Sequence, residues 1–477
     1  MTGRQVLNTH GAVISERAVR EFMSSIQGSV LRPGDERYEE GRRIWNGMID
    51  KYPSMILYCS GAADVVTAVN FAREYSLLVA VRSGGHNVAG NAVCDGGLVI
   101  DLSRMKRIDV DAGSRTVRAD AGLTWGEFDN ATHAYGLATT GGLVSSTGIA
   151  GLTLGGGIGW LMRKYGLTCD NLLSVKMVTA DGQHLNASET ENVALFWALR
   201  GGGGNFGIVT SFTFRLHPVR DVLAGAILYP ADSAREVLSN YRSCLPAFPD
   251  ALTTMFLFLT VQPAPYLPDH LHGTKAVAVY LCYDGDPQEG LRAVQPLRQL
   301  SVPLLDTVEV MPYPRFQCMF DANAPSGLLN YWKSVYLAAL SDACIETIAD
   351  HAEKMTAPLT QIHLQHMQGA AGRVPGDATA FSHRGALCSL NIVTKWTDRA
   401  ESDGHIAWTR TFAEALKPHA QGVYVNFLGD EGDERVRAAY GQDTYQRLAA
   451  LKRRYDPENF FRLNQNIRPA GSGQQPE

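Results

Sequence analysis

Three glycine-rich runs constrain this chain more than anything else in it. The first is Arg82-Ser83-Gly84-Gly85-His86-Asn87, with Gly90 close behind. The second runs from Gly148 to Gly159 and includes Gly151, Gly155, Gly156 and Gly157. The third is Gly201-Gly202-Gly203-Gly204-Asn205-Phe206-Gly207. The long second run offers no side chain for acid–base work. It offers backbone N–H groups that approach a ligand closely because no Cβ intervenes. Three such nests suit a dinucleotide with a pyrophosphate. A Rossmann reading is weak, since Gly155 to Gly159 does not follow a strand and open a helix with an acidic residue about 20 positions on. No GxxxxGK[ST] phosphate loop occurs. Tight turns between strands would account for glycine runs alone.

Two nucleophiles tip the balance towards a ligand. His86 sits inside the first nest, which needs no side-chain donor unless something binds there. Cys169 lies in the polar segment Tyr165-Gly166-Leu167-Thr168-Cys169-Asp170-Asn171, directly after the second run. An imidazole nitrogen can add to the 8-methyl carbon of an oxidised flavin, and a thiolate can add at its C6. In order and type, the two segments resemble the linkage motifs of the berberine-bridge-enzyme-like flavoproteins of the vanillyl-alcohol-oxidase superfamily. The resemblance extends through Ala380-Phe381-Ser382-His383-Arg384 and Val423-Tyr424-Val425-Asn426-Phe427 to Tyr455–Pro469.

That resemblance implies an FAD bonded doubly, through His86 and Cys169. It assigns further cofactor contacts to Arg82, Ser83, Gly84, Gly85, Asn87, Gly90, Ser146, Thr147, Gly148, Gly151, Gly156, Gly157, Gly207, Ile208, Val209 and Asn464. It implies an α+β, two-lobed fold: an FAD-binding domain over 1–220, a substrate domain over 221–420 with an antiparallel sheet covered by helices, and a segment over 421–477 returning to the first. The activity implied is oxidation of an alcohol or hemiacetal of a sugar or natural product, with hydride passing to flavin and O2 giving hydrogen peroxide. An oxidative cyclase or desaturase, or a flavin-binding protein without turnover, are the alternatives. Tyr424 is the expected base, with Asn426 and Gln365 beside the substrate. Read as a strand, Tyr424–Phe427 sends Phe427 to the opposite face.

Composition agrees. At 477 residues the chain is too long for one core, and roughly 150 residues per domain suggests two or three units. A hydrophobic share of 45% and a charged share of 19% suit a globular protein. The net charge of −5 gives no reason to expect nucleic acid or an anionic membrane as partner; the partners that the resemblance implies are a small-molecule substrate and O2. Met1–Val30 contains no secretory apolar core, and no window offers the ~20 apolar residues of a membrane span. Eight scattered cysteines without a CxxC pair suggest a reducing, cytoplasmic setting. No oligomeric state is implied.

Periodicity predicts strands at 55–59, 78–81, 97–102, 107–110, 116–119, 174–180 and 207–214, with helices at 64–75 and 125–135. A second sheet is expected from 255–261, 275–283, 361–368 and 387–395, with helices at 331–339 and 341–355. Disorder is expected over 471–477. His363 and His366, three apart on a strand, face opposite sides and cannot share one ion, so no metal site is expected.

Overall fold

Met-Ile-Leu-Tyr at 55–58, Val-Ala-Val-Arg at 79–82 and Leu-Val-Ile-Asp at 98–101 are nearly continuous apolar runs, the pattern of strands covered on both faces. In the computed structural model, which describes residues 5–264 and 267–471, Leu98–Asp101 lies between the other two and pairs parallel with both. Helix Ala62–Glu74 makes the crossover. Asp64 fixes its start, because its buried carboxylate accepts from the amides of Gln27, Gly28 and Ser60. A second sheet follows in the order Ile108–Asp111, Thr116–Asp120, Ile208–Arg215, Leu172–Val178, His184–Ser188, with antiparallel pairing throughout. The two sheets share one core.

From Asp221 the chain builds an eight-stranded antiparallel sheet. Leu252–Thr260 pairs with Lys275–Tyr283 along its whole length, and Gln361–His366 and Cys388–Trp396 continue the order. One face carries Ile362, Leu364, Leu390 and Ile392 into a core with helices Ala234–Cys244, Asp342–Glu353 and Ser402–Leu416. Strand alternation leaves Gln361, His363, Gln365, Asn391 and Lys395 on the other face. The α+β, two-lobed expectation therefore holds. The helix expected at 331–339 does not form. Leu329–Leu337 is a strand paired residue for residue with Cys388–Trp396. Tyr331, Trp332, Val335 and Tyr336 suit a pleated surface, and an open sheet edge outweighs the weak helical spacing. No described helix is long and apolar enough to cross a membrane.

The last segment packs back on the third glycine run. Lys452, wholly buried, donates to the carbonyl oxygens of Asn205 and Phe461 and pairs with Asp456. The Asn205 side chain bridges Gly202, Gln465 and Ile467. The disorder expected over 471–477 falls, beyond Gly471, outside the described residues.

Burial also sets an acid sensitivity. His363 and His366 are both held down to about 3, chiefly by burial and secondarily by Lys395 and Arg163 respectively. Unfolding restores them to about 6.5, so the unfolded chain takes up two protons that the folded one refuses. Their stabilisation is complete above about pH 6.5 and declines as pH falls towards 3. Asp129 opposes them: burial raises it to about 7, so its contribution is present at low pH and lost as pH rises through 7. Burial also lowers His86 and His217 to about 4 and raises Asp120, so the depressed histidines outnumber the raised carboxylates and acid is the destabilising direction. The melting temperature should therefore fall between pH 6.5 and pH 4 in differential scanning calorimetry, and a flat or rising profile would contradict the assignment.

Candidate active site

The strand at 79–82 ends in Arg82, whose guanidinium is buried against Asp101 and donates to the carbonyl oxygens of Gly41 and Arg43. Arg82 thus fixes the strand end rather than facing a ligand. The chain then turns through Gly84, which lies against Gly148 of the second run. A Cβ on either would meet the other's amide nitrogen at 2.2–2.3 Å, so only glycine permits this approach. His86 comes next, stacked on Trp45 with ring centroids 5.0 Å apart. The hydroxyls of Ser146 and Thr147 lie 3.0 and 3.4 Å from its Nε2 and Nδ1. Burial lowers its pKa to about 4, with Asp321 pulling the other way. The ring is therefore neutral near pH 7 and keeps a nitrogen lone pair.

These loops floor a deep cavity. Of the cofactor contacts that the resemblance implies, Ser83, Gly84, Gly85, His86, Asn87, Thr147, Gly148, Gly151, Gly207, Ile208, Val209 and Asn464 line it. A Cβ added at Gly151 or Gly204 would meet nothing within 4 Å, so both glycines border open space. The backbone amides of residues 83–88 donate to no acceptor among the described residues. Unpaired amides around an open slot match the acceptor oxygens of a pyrophosphate, so the residues present fit FAD.

The sheet of the second lobe roofs the cavity with Gln361, His363, Gln365, Asn391, Val393 and Lys395, flanked by Phe320 and Trp332. Tyr424 and Asn426 also line it. The Tyr424 oxygen accepts from the Gly157 amide at 2.9 Å and from Asn426 Nδ2 at 2.8 Å. Asn426 is itself held by the Leu152 carbonyl. Burial pushes the Tyr424 phenol well above 10, while these two donors pull it down. Val425–Phe427 is a 3-10 turn, not a strand. Its three-residue period brings the Phe427 ring to 4.8 Å from that of Tyr424, on the same cavity wall. The opposite-face expectation for Phe427 is therefore corrected.

Five other expected contacts lie off the lining besides Arg82. Gly90 packs on Ile49, Gly156 on the Phe381 ring and Gly157 on Thr168. Ser146 reaches the site only through His86. Cys169 is fully buried, with its amide on the Gly156 carbonyl and its thiol raised well above 9 by burial and by Asp170. The polar neighbours that made Cys169 look accessible are satisfied internally. Asp170 pairs with buried Arg384, Thr168 donates to the Thr140 carbonyl, and Asn171 donates to the Tyr165 and Leu167 carbonyls. No described cysteine lines the cavity. Sequence reasoning missed Trp45, His363, Asn391 and Lys395. The alternation of polar side chains with Ile362, Leu364 and Ile392 was the available signal for all but Trp45.

Comparison with known proteins places this geometry. Residues 53–188 match the FAD binding domain family and residues 423–468 the family described as berberine and berberine like. An FAD-linked oxidoreductase of Dictyostelium discoideum is 35% identical, over 94% of this chain and 97% of that one. The (R)-6-hydroxynicotine oxidase of Paenarthrobacter nicotinovorans is 33% identical, over 94% and 98%. The solved xylooligosaccharide oxidase of Myceliophthora thermophila superposes with a TM-score of 0.84 over 95% of this chain and 100% of that one, at 23% identity, and shares the fold.

Proposed function

The chain belongs to the berberine-like FAD-linked oxidoreductases, and from that premise we propose an oxidase of an alcohol or hemiacetal, with FAD bonded once, through His86. It is an FAD-dependent oxidoreductase of known fold. The reading of its chemistry rests on one observation above all: a tyrosine oxygen held by two N–H donors on the lining of a cavity whose floor fits FAD.

Bound FAD supplies a hydride acceptor for the carbinol carbon, with O2 taking the two electrons and two protons as hydrogen peroxide. The remaining work falls to side chains. As the phenolate, Tyr424 takes the proton of the hydroxyl to be oxidised as the C–H bond breaks, and ends as the neutral phenol. The Gly157 N–H and the Asn426 Nδ2 group donate to that phenolate oxygen and offset the burial that disfavours its charge. Gln365, across the cavity, orients the substrate. Trp45 and Trp332 exclude water over the His86 end. His86, being neutral, has the lone pair that attachment to the 8-methyl carbon requires. Cys169 is sealed from the cavity, and no described cysteine lines it, which supports a single bond. All eight cysteines are unpaired, which supports a cytoplasmic setting.

The names of the similar proteins suggest where to look for substrates: a hydroxylated heterocycle and sugar oligomers. The test is anaerobic mixing of the purified yellow protein with a panel of sugars, phenolic alcohols and polyketide alcohols. Bleaching near 450 nm, followed by stoichiometric peroxide on admission of air, is expected for at least one class. A flavin that no alcohol bleaches would favour a carrier without turnover.

A further inference from the structure

Lys395 is the one charged side chain among the described residues lining the cavity. It is 4% exposed. Its ammonium donates to the Asn323 carbonyl at 2.8 Å and more loosely to Gln361 Oε1 at 3.4 Å. No carboxylate pairs with it, and burial alone accounts for its depressed pKa of about 8. His363 beside it donates to the same Gln361 oxygen and is neutral, so it offers no countercharge. A buried ammonium without a counterion is costly. One that borders an open cavity has a place for that counterion to enter.

A second feature of the same wall concerns hydroxyl groups. Gln365 Oε1 and Asn391 Oδ1 are buried acceptors without a hydrogen-bond donor, and both residues line the cavity. Such acceptors are satisfied by ligand O–H or N–H groups. Position fixes the order of the two features. Gln365 pairs with Ser389, and Ser389 pairs with Tyr336, whose ring is 6.5 Å from that of Tyr424. Lys395 is six residues further along the same strand, about 20 Å at ~3.3 Å per residue. Lys395 is thus remote from the proton-accepting end and anchors a distant part of the substrate.

We propose that the roof selects an elongated, hydroxylated organic anion: a carboxylate or phenolate seats on Lys395, and hydroxyls nearer Tyr424 donate to Asn391 and Gln365. This rests on the oxidase reading above and narrows its substrate class. A cationic amine substrate is disfavoured, because the lining offers it one positive charge and no negative one.

The test compares 4-hydroxycinnamate with its neutral carboxamide by isothermal titration against the flavin-loaded enzyme. The acid should bind at least ten-fold more tightly than the amide at pH 7. That advantage should shrink as pH rises past about 8, where Lys395 loses its charge. Lys395→Met should erase the preference with flavin content unchanged, and Lys395→Arg should keep most of it. Equal affinities, no binding of the acid at millimolar concentration, or a preference that survives Lys395→Met would overturn the proposal. Loss of flavin from Lys395→Met would overturn it too, by showing that the charge serves the cofactor. A failure of the oxidase reading appears separately, as a flavin that no alcohol bleaches while the acid–amide ratio persists.

Discussion

Tyr424→Phe is expected to slow flavin reduction by about two to four powers of ten, the usual contribution of a positioned general base. Folding and flavin attachment should survive, because the ring remains packed against Phe381, Tyr336 and Phe427. The loss should appear equally in kcat and kcat/KM, since proton removal belongs to the transition state. Asn426→Ala should slow reduction by a smaller factor, because the Gly157 amide still donates to the tyrosine oxygen. Phe427→Tyr is now expected to matter. Its hydroxyl would enter the same wall of the cavity, so KM should shift even where kcat does not. Stopped-flow reduction of the three variants checks all of this, and near-normal reduction in Tyr424→Phe would move the base to the roof.

The second large effect concerns attachment. Wild-type protein precipitated with acid should keep its yellow colour in the pellet. His86→Ala should send all of the flavin into the supernatant, and Cys169→Ala should leave it in the pellet. A double tether predicts the opposite for the first variant, because flavin would stay on Cys169. Mass spectrometry of the denatured chains reads the result directly, as one FAD mass present or absent. Cys169→Ala should instead lower thermal stability modestly, as removal of a small buried side chain does.

Much of the scaffold was legible because it is locally encoded. The apolar runs at 55–58, 79–82 and 98–101 and the full match of 275–283 follow from strand periodicity alone. The helix over Trp125–His133 carries its own start signal, with Thr124 and Glu127 forming a reciprocal cap. The segment at 331–339 was misread because its aromatic spacing suits either period. Pairing with Cys388–Trp396, more than 50 positions away, decided it.

By itself, then, the sequence determined the family, the fold class, the glycine loops and the presence of His86 at the head of one of them. Each is a matter of residue type in short-range order: a missing Cβ, a period of two, an imidazole in a turn. Only the tertiary structure decided which nucleophile meets the cavity, on which wall Phe427 stands, and that Lys395 is buried there without a countercharge. Those depend on what distant segments bring alongside. Arg384 satisfies Asp170 across more than 200 positions and helps turn the Cys169 segment inward. The tail carries Tyr424 to the Gly157 amide. Burial and countercharge are properties of the assembled interior, and no local pattern of residues contains them.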